Sequence, residues 1–335
     1  MSAPLLFCHY GNSRYLPYVL EMARFSNPEK RIVLLGDEKN AWLADKIEIE
    51  HRCFKEFDYG EELERFHRHY RPVQGPKHGH MKGGQDWLKF VFARWFFVLN
   101  FVRSSSIDEF WHFDSDNMIL IPLSDHEDEL RQYDCTEQCN GICINGFVSS
   151  VPLIERYVRK INAFYQDESF LQKKQKEFDE FEPGKCFNEM TAYGLFKQEE
   201  SVNSVRLNAV RNGSTFDDCI CQNHHIQMER LFNGKLIKRI HSSPTGKFFC
   251  QSDQDGQFLR LNSINCSWVP VKLFEVILQR AKLAQSTDPD PSELSIERLP
   301  SLSELLWKSH YWFCRFGQIR SSTRKWRHLG LSKSN

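Results

Sequence analysis

The chain has 335 residues, 41% of them hydrophobic and 26% charged, the balance of a folded globular protein rather than a disordered or fibrous one. Lys plus Arg and Asp plus Glu stand equal at 44 each, so no net charge points to nucleic acid and none is expected as a partner. The longest apolar run, residues 90–102, is broken by Arg94 and Asn100 and falls short of the roughly 20 residues that a membrane-spanning helix needs.

The N-terminal stretch lacks a basic segment and a long apolar core, so no export signal is expected there. Residues 4–9 form a short apolar run ending in a turn at Tyr10-Gly11-Asn12-Ser13, after which Leu16, Val19, Leu20 and Ala23 recur at helical spacing. Residues 31–35 predict a second buried strand stopped by Gly36-Asp37, and residues 47–53 a third, more polar one. Residues 58–84, rich in Gly, His and basic side chains, are expected to be a long loop. A strong helix is predicted over 86–102, feeding a strand at 109–113. Further on, 141–148 predicts a strand and 151–164 an amphipathic helix; 170–181 is a charged helical excursion and 188–196 another helix. Short strands are expected around Val205, Ile237, Phe248 and Leu259, and a last helix over 271–284. Alternating strands and helices predict an α/β fold with a mainly parallel sheet flanked by helices. The expected organisation is a first half over 1–124 and a second half of the same domain over 125–285. A Pro/Asp/Ser-rich linker over 286–301 and a basic, aromatic helical tail over 302–335 complete it.

The informative segment is Glu109-Phe-Trp-His-Phe-Asp-Ser-Asp-Asn-Met-Ile. An apolar strand ends there in two carboxylates, Asp114 and Asp116, separated by Ser115. Ligands of α/β sheets gather at the carboxyl ends of strands. Two acids at such a place suit a hard divalent ion, Mn²⁺ or Mg²⁺, whose other positions belong to water and phosphate oxygens. Two other Asp-x-Asp pairs, Asp253/Asp255 and Asp288/Asp290, do not follow an apolar strand.

On these residues the chain resembles the GT-A glycosyltransferases, particularly bacterial enzymes that build surface polysaccharide. The resemblance covers roughly residues 4–270. It rests on the turn after the first strand (Phe7-Cys-His-Tyr-Gly), the second strand end (Leu34-Leu-Gly-Asp), the helix Arg94-Trp-Phe-Phe-Val-Leu, the aspartate motif, a strand Cys143-Ile-Asn-Gly, and the helix start Asn188-Glu-Met-Thr. It implies a Rossmann-type GT-A fold and transfer of a sugar from a nucleotide-diphosphate donor to a glycan or lipid-linked acceptor. His9, Tyr10, Gly11, Asp37, Arg94, Ser115, Asn145 and Gly146 would hold the nucleotide sugar, Asp114 and Asp116 the metal, and Glu189 would act as general base. The His-x-x-Gly element with which comparable enzymes often complete the metal site or touch the diphosphate is missing from residues 261–268; either His241 substitutes for it or the third protein ligand is absent.

Other readings of the same residues stay open. Arg94 lies among Phe92, Trp95 and Phe96, where an unpaired charge is costly; it pairs with diphosphate or with the aspartate cluster, or lies on the helix surface with its stem on the aromatics. Lys89 is open to the same argument. Glu189 also suits a helix N-terminus with no catalytic role, and Asp217-Asp218 is a rival acceptor site. A haloacid-dehalogenase-like phosphatase would use Asp114 as nucleophile and Asp116 as acid, but expects the motif on the first strand and Thr or Val where Met118 stands. A degenerate transferase that only binds a partner is the non-enzymatic alternative.

Three further features complete the sequence. The loop Gly75–Gly84 could fold over a diphosphate or be plain solvated loop, and its neighbouring His67/His69 and His78/His80 pairs lack Cys or carboxylate partners at zinc spacing. Eleven cysteines without framework spacing, including Cys135, Cys139 and Cys143, predict reduced thiols in a cytoplasmic protein. The tail interleaves Trp307, Tyr311, Trp312, Phe313, Phe316 and Trp326 with Lys and Arg, and no acid follows Glu304. It suits either an interfacial helix on the anionic inner face of a membrane, making the protein peripheral there, or a terminal helix docked on the main domain.

Overall fold

The computed structural model describes residues 2–78, 84–283 and 300–307. They form two compact units. The first takes Met1–Arg211, Thr215–Cys219 and Asn262–Asn265; the second takes Asn212–Ser214, Ile220–Leu261 and Cys266–Asn335.

The first unit is mixed α/β. Its strands are β1 (Leu5–Cys8), β2 (Ile32–Gly36), β3 (Glu50–Cys53), β4 (Phe110–Asp114), β5 (Asn117–Ile119), β6 (Cys135–Gln138), β7 (Cys143–Val148) and β8 (Ser204–Arg206). Seven make one sheet in the order β3-β2-β1-β4-β7-β6-β8. β7 runs antiparallel to both neighbours, and every other pair is parallel. β5 instead pairs antiparallel with chain returning at Ser263–Asn265. β1 and β2 are buried along their whole length, as strands covered on both faces must be, so they read as unbroken apolar runs.

Helices α1 (Leu16–Ser26), α2 (Leu43–Ile47), α3 (Glu61–His69), α4 (Gly84–Ser104), α5 (Glu127–Leu130), α6 (Val151–Gln166), α7 (Glu168–Glu180) and α8 (Glu189–Glu199) cover the sheet. α4 is buried nearly all round in its middle, through Phe92, Trp95, Phe96, Val98, Phe101 and Val102, which marks a core helix rather than a surface one. Its rings pack with those of α3 and α6: Phe66 stacks on Phe96 at 5.1 Å, and Tyr165 meets Phe92 edge-on at 5.3 Å. Such aromatic pairs add to area burial, and the high Phe content is spent here. α8 starts cleanly because Asn188 Oδ1 accepts from Thr191 N at 2.9 Å.

Residues 58–84 are not simply a loop. α3 occupies Glu61–His69, burying Leu63 and Phe66 one turn apart. Acids in its first turn and His67, Arg68 and His69 in its last complement the helix dipole, so the charges that suggested a loop are those of a helix surface. His67 Nε2 lies 3.1 Å from Asp58 Oδ1. Of the Gly75–Gly84 stretch, residues 79–83 lie outside the described residues.

In the second unit, β10 (Met228–Arg230) and β11 (Leu236–Lys238) form a hairpin, and β12 (Ile240–Ser242), β13 (Phe248–Gln251) and the first half of β14 (Phe258–Asn265) a meander; β9 (Ser214–Phe216) begins in this unit and ends in the first. α9 (Val271–Leu283) follows, and residues 302–307 form one more helical turn. The expected linker lies almost wholly outside the described residues, as does the tail beyond Trp307. Among the described residues no helix is long and apolar enough to cross a membrane.

The register of β6 on β7 shifts between Cys135↔Val148 and Glu137↔Ile144, which leaves Asn145 and Gly146 as a bulge in β7. Thr136 Oγ1 clasps it, donating to Asn145 O and accepting from Phe147 N, each at 2.7 Å. Gly146 has φ +99°, and a Cβ there would stand 2.3 Å from Thr136 Oγ1 and 2.7 Å from Leu207 Cδ2. Gly146→Ala is therefore expected to destabilise the protein by about 2 kcal/mol or more, read as a fall in the denaturation midpoint at unchanged slope.

Candidate functional site

The carboxyl ends of β1 and β4, the first three turns of α4 and the start of α8 surround a cavity of about 530 Å³ in the first unit. Asp114, Ser115 and Asp116 form one wall at the β4–β5 turn; Arg94 and Glu189 form the floor; Tyr10 and Trp87 stand at its mouth. Trp87, Phe90, Val91 and Arg94 share one stripe of α4, at the three- and four-residue spacing of a single helix face.

Arg94 is the centre of the polar floor. Its Nη1 donates to Asp114 Oδ1 at 2.6 Å and its Nη2 to Glu189 Oε2 at 3.3 Å, with the side chain 9% exposed. Glu189 Oε1 accepts from Trp95 Nε1 at 2.8 Å, so both carboxylate oxygens are taken by neighbours on α4. Burial pushes the Glu189 pKa up, against the opposing pull of Arg94. For Asp114 burial acts in the same direction, but Arg94 prevails and holds its pKa below the ordinary value. Burial disfavours the Arg94 cation too, and the two carboxylates more than restore it. Asp114 is fixed through its backbone as well: its N donates to Asn145 Oδ1 at 3.1 Å, and its carbonyl accepts from Asn117 Nδ2 at 3.1 Å.

The turn after β1 is held to β2. Gly11, at φ +85°, donates its N–H to Asp37 Oδ2 at 3.0 Å, and Asn40 Nδ2 donates to the carbonyls of His9 and Gly11. His9 Nδ1 lies 2.7 Å from Ser115 Oγ and its Nε2 lies 3.0 Å from Ser13 Oγ, tying this turn to the aspartate motif. Burial lowers the His9 pKa to about 4, only partly opposed by Asp37, so the ring is neutral near pH 7. Tyr10 is 61% exposed; its ring leans on Phe90 at 5.7 Å and lies under the Lys39 ammonium at 5.8 Å.

The structure thus brings His9, Tyr10, Arg94, Ser115, Asp114, Asp116 and Glu189 to one cavity, with Gly11 and Asp37 bracing its rim. Asn145 and Gly146 are placed differently. Asn145 is fully buried and serves the Asp114 backbone, and Gly146 serves the bulge that aims it. Lys89 turns elsewhere, its ammonium over the Tyr70 ring. Asp217 and Asp218 are buried structural acceptors: Asp217 takes Asn265 N, and Asp218 takes Asn140 N and Arg206 Nη2. His241 is buried in β12 of the second unit, edge-on to Phe258 at 5.6 Å. Cys135, Cys139 and Cys143 are free thiols. Trp95, Asn117, Asn40 and Trp87 complete the site without having been singled out in the sequence. Trp95 carried one signal, its adjacency to a buried arginine.

Among the described residues no group of three or more His, Cys, Asp or Glu side chains stands ready to hold a metal. Asp114 is already compensated by Arg94, which leaves Asp116, half-buried at the cavity wall, as the second carboxylate of the motif.

No protein-family model matches the chain, and no curated protein matches it in sequence. A solved structure titled "PaToxG Glycosyltransferase" is similar to it with a TM-score of 0.32 and 8% identity, covering 59% of this chain and 70% of that one. A likeness of that extent carries no argument about chemistry.

Removing Arg94 strands two anions. Arg94→Met is expected to destabilise the fold by about 3 kcal/mol or more, and adding Glu189→Gln to recover at least about 1 kcal/mol, measured as a double-mutant cycle in denaturant. Stability should also fall as the pH drops from 6.5 towards 4, because His9 stays neutral when folded and takes a proton when unfolded. In that window the unfolded chain binds more protons, so stability rises with pH, by up to about 1.4 kcal/mol per unit for one site. His9→Gln should flatten the slope by that amount.

Proposed function

We propose that the cavity binds a nucleotide-diphosphate sugar and that the protein is a glycosyltransferase. The observation that carries this reading is the Asp114-Ser115-Asp116 turn at the carboxyl end of a central strand, facing a cavity with a buried guanidinium in its floor. Such a strand end is where α/β sheets bind ligands. The turn Phe7–Gly11 with Asp37 would hold the nucleoside, and Tyr10, exposed and braced between Phe90 and Lys39, offers a flat face to its base.

The donor set suits Mg²⁺ or Mn²⁺, which are bound through one or two carboxylates with phosphate oxygens as the remaining ligands. Asp116 would be the direct protein ligand, and Asp114, oriented by Arg94 and Asn145, its partner. Such an ion, when bound, neutralises the leaving diphosphate. The side chains do the rest. Arg94 sets the Asp114 carboxylate and carries positive charge towards the phosphates, and neutral His9 fixes Ser115 beside them. Glu189, with both oxygens accepting hydrogen bonds from Trp95 and Arg94, fits the holding of Arg94 better than the removal of an acceptor proton. The same grip on Asp114 weighs against a phosphatase, in which that oxygen would be the nucleophile. The acceptor in this reading is a glycan or a lipid-linked saccharide, as in assembly of a surface polysaccharide.

The test is a thermal-shift series with UDP-, GDP-, CMP- and dTDP-sugars, with and without Mn²⁺, on wild type and Asp116→Ala. A donor at 100 times its dissociation constant stabilises by about 2.7 kcal/mol. The expected result is a metal-dependent shift with one nucleotide family, abolished by the substitution. A folded protein that shifts with none of them, or an Asp116→Ala variant that shifts as wild type does, overturns the reading.

A further inference from the structure

Transfer to a hydroxyl acceptor releases one proton, and a positioned side chain that takes it speeds the step by roughly 10²–10⁴-fold. Most groups lining the cavity are unsuited to that task. Glu189 and Asp114 spend their carboxylates on Trp95 and Arg94. Asp116 is assigned to the cation under the reading above, and its Oδ1 lies 3.4 Å from Asn117 Nδ2. His9 has both ring nitrogens against serine hydroxyls, and its pKa, lowered to about 4 by burial, makes it a weak base. Burial raises the Cys8 pKa to about 12, and burial with the Asp116 charge raises that of Tyr15, so neither gives up its proton near pH 7.

Asp86 is the remaining carboxylate of the lining. It lies in the first turn of α4, is exposed, and borders the cavity together with Trp87, Asn188 and Met190. No described residue donates a hydrogen bond to it or forms an ion pair with it. Lys89, the cation three residues along the same helix, is turned to the Tyr70 ring at 5.9 Å. An acid in a first turn suits the helix dipole whatever else it does. The dipole does not call for a place on the cavity wall, and Asp86 has one. Its depth fits as well. Asp86 precedes Arg94 by eight residues (86 to 94), about 12 Å along the helix axis. Arg94 and the aspartate turn mark the end of the cavity where the diphosphate would lie, and Asp86 marks the solvent end, from which an acceptor enters. A donor between them has its leaving group towards the floor and its other face towards Asp86.

We propose that Asp86 is the catalytic base of the transfer, an inference that rests on the glycosyltransferase reading above. Its carboxylate takes the proton of an acceptor hydroxyl. That oxygen forms its bond to the anomeric carbon as the bond from this carbon to the phosphate oxygen breaks, and the electron pair leaves with the nucleotide. Attack from the face away from the leaving group inverts the anomeric configuration.

The experiment uses the full chain with Mn²⁺ and the nucleotide sugar that shifts its melting temperature, with water as the acceptor. Released nucleotide gives the rate, and NMR of the first sugar released gives its anomeric configuration. Wild type is expected to release the sugar with inverted configuration. Asp86→Asn should lower kcat about 100-fold or more while keeping the metal-dependent thermal shift of wild type. Added formate, a small carboxylate, should raise the Asp86→Asn rate about tenfold, which a merely structural defect would not allow. Asp86→Glu should keep more activity than Asp86→Asn. Asp86 is exposed, and unfolding midpoints check that each variant is folded. Retained configuration in the wild-type product overturns the assignment, and so does an Asp86→Asn variant that releases nucleotide at the wild-type rate. A wild type that shifts with no nucleotide sugar loses the glycosyltransferase reading, and the role of Asp86 with it. The binding series separates that outcome from failure of the base alone.

Discussion

The first unit is organised around a single electrostatic demand. A guanidinium placed on the inner face of a core helix, among Phe92, Trp95 and Phe96, cannot stay charged without anions close by. Arg94 cannot shed its proton, so the fold brings the anions to it. The end of β4 supplies Asp114 and the first turn of α8 supplies Glu189, from positions 20 and 95 residues away in sequence. Three elements thereby converge at one depth, and the gap they leave above the ion pairs is the cavity. The count of charges has a consequence. Two carboxylates on one guanidinium already leave the floor negative if both are ionised, and Asp116 adds to it. Burial raises the Glu189 pKa, against the pull of Arg94.

Second-layer contacts fix what the ion pairs only attract. Asp114 is held by more than its salt bridge: Asn145 takes its backbone N–H and Asn117 its carbonyl, which fix the main chain from which the carboxylate projects. Asn145 in turn depends on the β7 bulge, which depends on Thr136 and on the absence of a side chain at Gly146. The result is a line of support from a sheet irregularity to a carboxylate, built of short neutral hydrogen bonds in a low-dielectric interior where each is worth most.

What was legible in the sequence follows the same division. β1, β2, β4, α4 and α6 announce themselves because burial is dictated by apolar periodicity, a local property. The aspartate turn is legible because an apolar strand ending in acids has few cheap explanations, and Arg94 because a charge inside an apolar helix has fewer still. Polar residues whose partners are distant were not legible. β6 reads as Cys-Thr-Glu-Gln, yet it is buried, since Glu137 is met by Tyr193 and Lys197 and Gln138 by the carbonyl of Asp217. Asn145-Gly146 looked like a ligand-binding pair for the same reason: residue type shows that an amide is needed, not whether a sugar or a backbone N–H is to meet it. α3 is hidden because the stretch 58–84 around it is dominated by Gly, His and basic residues, and only Leu63 and Phe66 betray its inner face.

The α4 stripe gives the cavity a gradient. Trp87, 40% exposed, stands at the mouth, Phe90 and Val91 lie deeper, and Arg94 lies at the floor. Along that face the surroundings pass from solvent to interior over two helical turns, and an interaction between unit charges strengthens several-fold as the effective dielectric falls. A neutral ligand entering there gains only contact with the rings. A ligand with a flat or ring-shaped end and a charged end can place the first against the aromatics and the second where the field is strongest. The spacing between the ring contact and the charge contact along that face is fixed by the pitch of α4 rather than by any single side chain.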